Sequence, residues 1–155
     1  LRHPVTSEAD VELVHEALKK VGLFEKVISF ENRIDTFVTR EFEESGQYFS
    51  GGEQQKLALA RIYAGNYDCI ILDESTSSLD PISEDDIINT IFQIFNDKTV
   101  IMISHRLATI KYTDLVYFLE NGRIIEYGSH QQLMDAQGEY SKFYLTQASK
   151  YDVGV

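Results

Sequence analysis

The chain has 155 residues, of which 25 are acidic and 14 basic, for a formal charge of -11, and 43% are hydrophobic and 12% aromatic. That is enough apolar material for one domain with a real core, and too much for a disordered segment. The acidic balance repels nucleic acid and anionic lipid surfaces and no basic cluster offsets it, so no nucleic-acid partner is expected.

The longest unbroken apolar run, Leu115 to Leu119, has five residues, against the ~20 needed to cross a bilayer. The lone Cys69 forms no internal disulfide and nothing at Leu1 has the form of a signal peptide, so a reducing, cytosolic setting is expected. An opening at Leu1 without an initiator methionine, and the bare Gly154-Val155 end, point to an excised domain.

Taken in chain order, Ser7 to Asp10 fits a capping pattern. Val11, Val14, Leu18 and Val21 then recur at helical spacing until Gly22 supplies a stop. Residues 23–40 read as a short helix and an irregular connection, and residues 41–46 as an acidic surface loop. Good helix formers fill Glu53 to Ala64, with Leu57, Ala60 and Ala64 on one face.

Cys69 to Leu72 and Thr99 to Ile103 are short continuous apolar runs, expected as strands buried on both faces of a parallel sheet, with Cys69 a small core residue. Between them Asp80-Pro81 offers an N-cap with proline at the first helical position, ahead of a stripe of Ile87, Ile88, Ile91, Phe92 and Phe95. Leu115 to Leu119 and Arg123 to Tyr127 flank Glu120-Asn121-Gly122, a hairpin signal. Two helices near residues 130–135 and 139–147 close the chain.

Chemistry concentrates in three places. Ser50-Gly51-Gly52-Glu53 sets a hydroxyl and two glycines at the mouth of a helix. There free amides carry partial positive charge and a missing Cβ lets an anion approach; a turn that simply needs positive φ is the alternative. Asp73 and Glu74 end an apolar strand at the sheet edge where α/β folds bind ligands. One can hold a divalent ion while its neighbour, pointing the other way by strand alternation, orients or deprotonates water; capping of the Ser75-Thr76-Ser77-Ser78 turn is the alternative. His105 ends the next strand on the same edge and can donate to a terminal phosphate or polarise the attacking water. His3, His15 and His130 have no metal-ligand spacing.

The succession of glycine motif, helix, apolar strand with Asp-Glu, Ser78-Leu79-Asp80, apolar strand and Ser104-His105 resembles the nucleotide-binding domain of ATP-binding cassette proteins. The tail, with Ser104-His105-Arg106-Leu107, residues 121–130 and Gly138-Glu139-Tyr140, is similar to exporter-type cassettes. The resemblance makes Phe49 to Glu53 the signature motif, Cys69 to Glu74 the Walker B strand, Asp80 part of the D-loop and His105 the switch histidine. It implies a P-loop NTPase-like α/β fold: a helical subdomain over residues 1–64, then part of the catalytic core over residues 65–155 with a partial parallel sheet.

The same resemblance implies that Ser50, Gly51, Gly52 and Glu53 grip ATP held by a partner domain, that Asp73 stands beside Mg2+ through water, that Glu74 is the general base and His105 the γ-phosphate contact, and that Asp80 couples the two sites. It further implies a second nucleotide-binding domain docked head to tail, a transmembrane partner, and a place at the cytoplasmic face of the membrane. A soluble non-transporter ATPase and a non-catalytic interaction module are the alternative readings.

Two departures stand out. Glu53 occupies a position where the family usually has glutamine, and no Gly-x-x-x-x-Gly-Lys-Ser/Thr loop occurs in the 155 residues. Weak or absent ATP turnover by this chain alone is the consequence.

Overall fold

Local signals set most of the helix starts. In the computed structural model, which describes residues 7–38, 46–74, 79–104, 107–110 and 112–151, Ser7 caps α1 (Glu8–Lys20) in a reciprocal capping box with Asp10, and the chain turns out of the helix at Gly22, φ 73°. The five-residue α2 (Phe24–Ile28) and a single 3-10 turn (Arg33–Asp35) follow. Ser50 caps α3 (Gly51–Gly65) in a second capping box, with Glu53 as its acid, and Asn66 ends that helix in the left-handed conformation at φ 48°. Asp80 caps α4 (Pro81–Ile94), whose first residue is the expected proline. The acidic stretch 41–45 lies outside the described residues.

The molecule divides into two units, Leu1–Ile103 and Ser104–Val155. In the first, β1 (Cys69–Asp73) and β2 (Thr99–Ile103) pair in parallel with Cys69 opposite Thr99 and Asp73 opposite Ile103, joined through α4. Ile70 and Leu72 turn into a core with Ala17, Leu18, Val27, Leu59, Ala60, Ile87, Ile91 and Phe95, and Ile88 and Ile91 have no exposed surface at all.

The opposite side of the pair corrects the expectation of strands buried on both faces. Cys69, Ile71 and Asp73 alternate outward along β1, and Ile71, Ile101 and Ile103 are 65%, 47% and 51% exposed. Cys69 is likewise exposed and is no core residue. Unbroken apolar runs carry no alternation by which one face could be told from the other, and here a layer packs against one face only.

In the second unit, a short helix that the sequence reading passed over, α5 (Leu107–Ile110), precedes the hairpin of β3 (Val116–Glu120) and β4 (Arg123–Gly128). Asn121 at φ 48° and Gly122 at φ 74° form its turn, as the Asn-Gly pair predicts. α6 (His130–Asp135) and α7 (Glu139–Tyr151) close the chain. Glu126 on β4 accepts from the backbone N–H of Glu139 at 2.6 Å and of Tyr140 at 3.2 Å, capping α7 from outside the helix. A Cβ on Gly138 would sit 2.3 Å from Glu126 Oε1, so that cap requires glycine there.

Tyr140 is 1% exposed, burial pushes its hydroxyl up to about 12, and that hydroxyl is hydrogen-bonded with His130 Nδ1 at 2.7 Å. His130 is thus held in a structural contact, its ring also packed beside Tyr144, and His15 packs edge-on against Phe24. His3 lies outside the described residues.

Candidate functional site

The Ser50 helix start is built by reciprocal bonds. The Glu53 N–H donates to Ser50 Oγ at 3.2 Å, and the Ser50 N–H donates to Glu53 Oε2 at 2.8 Å. Ser50 and Gly51 are exposed, so this end of α3 faces solvent.

Gly51 and Gly52 occupy the first two positions of α3 and are not among the glycines with positive φ, so the alternative of a turn that needs that conformation does not apply. A Cβ on Gly51 would meet Leu79 Cδ2 at 3.7 Å, and one on Gly52 would meet Ser83 Cβ at 3.8 Å, both ordinary contact distances. Alanine in a helix interior is better than glycine by about 1 kcal/mol. Among the described residues, no contact at either position requires glycine.

The same contacts bring the start of α4 beside the start of α3. Asp80 Oδ1 accepts from the N–H groups of Ile82 and Ser83, both at 3.1 Å, and Oδ2 accepts from Ser83 Oγ at 2.5 Å. These bonds, that from the Ser83 hydroxyl foremost, hold its carboxyl below the usual range. Asp80 is an N-cap in this structure.

Glu53 carries more than its share of the capping box. Lys26 Nζ on α2 donates to both of its oxygens at 2.7 Å, and the same ammonium lies 5.0 Å from the centre of the Phe49 ring, against which Phe30 packs edge-on. The Lys26 bonds, ahead of those from Ser50, hold the Glu53 carboxyl below the ordinary carboxylate value. The sequence offered no signal for this partner, a lone lysine 27 residues away.

Asp73 and Glu74 sit at the carboxyl end of β1, both exposed. The strand ends at Asp73, and Glu74 turns into the left-handed region at φ 44° while its N–H donates to the Ile103 carbonyl at 2.9 Å. Strand alternation therefore does not set the direction of Glu74, which corrects the basis on which its divergence from Asp73 was expected. A non-glycine residue in that region costs of order 1–2 kcal/mol and persists where neighbouring structure imposes it; the bond to Ile103 is such a constraint. His105 and the Ser75–Ser78 turn lie outside the described residues, so the structure brings Asp73 and Glu74 together and does not place His105. Among the described residues no group of three or more candidate metal ligands occurs.

A family model described as ABC transporter matches residues 4–77, which take in the Ser50 helix start and the Asp73-Glu74 strand. The chain is 40% identical over 137 residues to the glutathione/L-cysteine transport system ATP-binding/permease protein CydD of Bacillus subtilis (strain 168), covering 88% of this chain and 23% of that protein. It is 36% identical over 140 residues to a putative multidrug export ATP-binding/permease protein, YgaD, of the same organism, covering 90% and 23%. It also superposes on the solved structure of a bacterial Atm1-family ABC exporter with ATP bound, with a TM-score of 0.71 at 33% identity over 92% of this chain and 24% of that one.

The chain belongs to the ABC transporter family. Within it, the chain spans about a quarter of the length of the relatives it matches. Its parallel strand pair and the helix that joins them match the P-loop NTPase-like fold of that ABC exporter structure. No described helix is long and apolar enough to cross a membrane.

Proposed function

We propose that this chain is the latter part of the ATP-hydrolysing domain of an ABC exporter, with residues 1–64 as its helical subdomain and residues 65–155 as part of its catalytic core. Ser50, Gly51, Gly52 and Glu53 close over ATP carried by a second nucleotide-binding domain docked head to tail. Asp73, Glu74 and His105 act on ATP in their own domain, and Asp80 links the two sites. Closure on ATP and reopening after hydrolysis drive a transmembrane partner at the cytoplasmic face of the membrane. The observation that carries this reading is the pair of helical glycines at the start of α3, whose missing Cβ atoms no described residue exploits. An anion approaching from another molecule exploits both at once, because it meets bare amides at the positive end of a fifteen-residue helix.

The donor set at the end of β1 fits magnesium arriving with a triphosphate. Asp73 offers one exposed carboxylate, and such an ion keeps several waters and takes its other ligands from phosphate oxygens. When bound, it neutralises charge developing on the phosphoryl oxygens. Asp73 is the residue that would hold the ion, through water, and Glu74 would accept the proton of the attacking water on its carboxylate as ATP and water give ADP and phosphate. The bond from the Glu74 N–H to Ile103 fixes the backbone from which that carboxylate reaches. His105 donates to the γ-phosphate.

The test is ATP-dependent association. Mixed with a complete exporter ATP-binding domain that carries its own phosphate loop, the chain is expected to associate in ATP and not in ADP, as read by analytical ultracentrifugation. Gly51→Ala and Gly52→Ala are expected to weaken that association by roughly tenfold or more while leaving the melting temperature unchanged or raised. Alone, the chain is expected to turn over ATP near background, for want of the phosphate-loop lysine and its amides. Equal association in ATP and ADP, or alanine variants that bind as the unmodified chain does, refutes the reading.

A further inference from the structure

Glu53 poses an electrostatic problem. If the start of α3 meets the triphosphate of a partner domain, a carboxylate in its first turn opposes that contact, where the family usually sets an uncharged glutamine. The structure holds the answer on a different helix. Lys26 donates to both Glu53 oxygens at 2.7 Å, and Oε2 is also the acceptor of the Ser50 N–H, so the carboxylate is drawn back along the helix start. The ammonium is itself located by the Phe49 ring, in the residue immediately before the Ser50 cap, and Phe30 fixes that ring from the side.

We propose that Lys26 is a positioning residue for the phosphate-facing start of α3: paired with Glu53, it cancels the carboxylate's charge and keeps it turned into the capping box, so that the two side chains together replace one neutral amide. This rests on the reading that Ser50 to Glu53 meet a partner's ATP. Under that reading the pair has no net charge toward the nucleotide, and each partner alone has a charge of opposite sign. Lys56, within α3 itself, is engaged with Asp86 at 2.6 Å and does not substitute for Lys26.

Opposite signs give the test. With the same ATP-dependent association as readout, Lys26→Met is expected to weaken binding at least about fivefold at low ionic strength, and by less at high salt. Glu53→Gln is expected to bind more tightly, because it frees the lysine charge toward the phosphates, and equal or weaker binding by a folded Glu53→Gln overturns the proposal. The double variant Lys26→Met, Glu53→Gln is expected to recover most of the loss caused by Lys26→Met. A merely structural ion pair predicts something different: both single variants weaken binding together and in step with their melting temperatures.

If Lys26→Met does not fold, as judged by circular dichroism, Glu53→Gln decides alone by that criterion. Lys26→Met that binds as the unmodified chain does overturns it too, and leaves the nucleotide reading standing. No ATP-dependent association of the unmodified chain overturns both.

Discussion

Glu74 shows how a single residue can carry a cost that its fold does not recover. It stands in the left-handed region at φ 44°, immediately after the last residue of β1, with its N–H committed to Ile103. A β-branched side chain there suffers most and glycine not at all, so Glu74→Gly is expected to be more stable than Glu74→Val by about 1–2 kcal/mol in denaturant unfolding. Both variants lack the carboxylate and are expected to leave a reconstituted domain without hydrolysis. Equal stability of the two would show that the backbone at this position is not strained. The glycines at 51 and 52 present the inverse case, small residues in ordinary helical conformation, and both departures from local preference fall at positions that the nucleotide reading uses.

At the scale of elements, sequence and structure agree wherever the signal is local. Ser7 with Asp10, Asp80 with Pro81 and Asn121 with Gly122 each determine an element boundary through bonds or dihedral angles spanning four residues or fewer, and each is found where it was read, whereas the helix expected from Glu53 starts two residues earlier, at Gly51, where Ser50 and Glu53 cap each other. What was not legible depends on distant chain. The exposure of Ile71 depends on which layer covers the strand pair, the Glu53 partner comes from α2, and the left-handed turn at Glu74 is imposed by β2. The candidate site was legible as a set of residue types at a spacing, but the Lys26 partner of Glu53 and the left-handed backbone at Glu74 were not.

The docking of α7 on α6 gives a prediction at this scale. Tyr140 has its hydroxyl pushed up to about 12 from an ordinary 10, through burial first and its neighbour Tyr144 second. The folded state thus holds the proton more tightly than the unfolded chain. Its contribution is complete below pH 10 and is lost as pH rises from 10 towards 12, up to about 2.7 kcal/mol for two units. Thermal melts across that window are expected to fall more steeply for the unmodified chain than for Tyr140→Phe; parallel curves would locate the loss elsewhere.

Among the described residues, the first unit has a well-filled core and a strand pair with one side exposed. Ile71, Ile101 and Ile103 put three branched apolar side chains into water on adjacent parallel strands, with the unpaired edges of both strands beside them. Ile101→Thr keeps the β-branched shape and removes apolar area from water, so it is expected to reduce light scattering in concentrated solution while barely moving the unfolding midpoint. No change in scattering would mean that this surface does not drive self-association.

For whoever handles the purified chain, dilution is then the governing variable. Well below its melting temperature, with every helix intact, the polypeptide is expected to leave solution through the uncovered flank of β1 and β2, so turbidity would register crowding before any loss of fold.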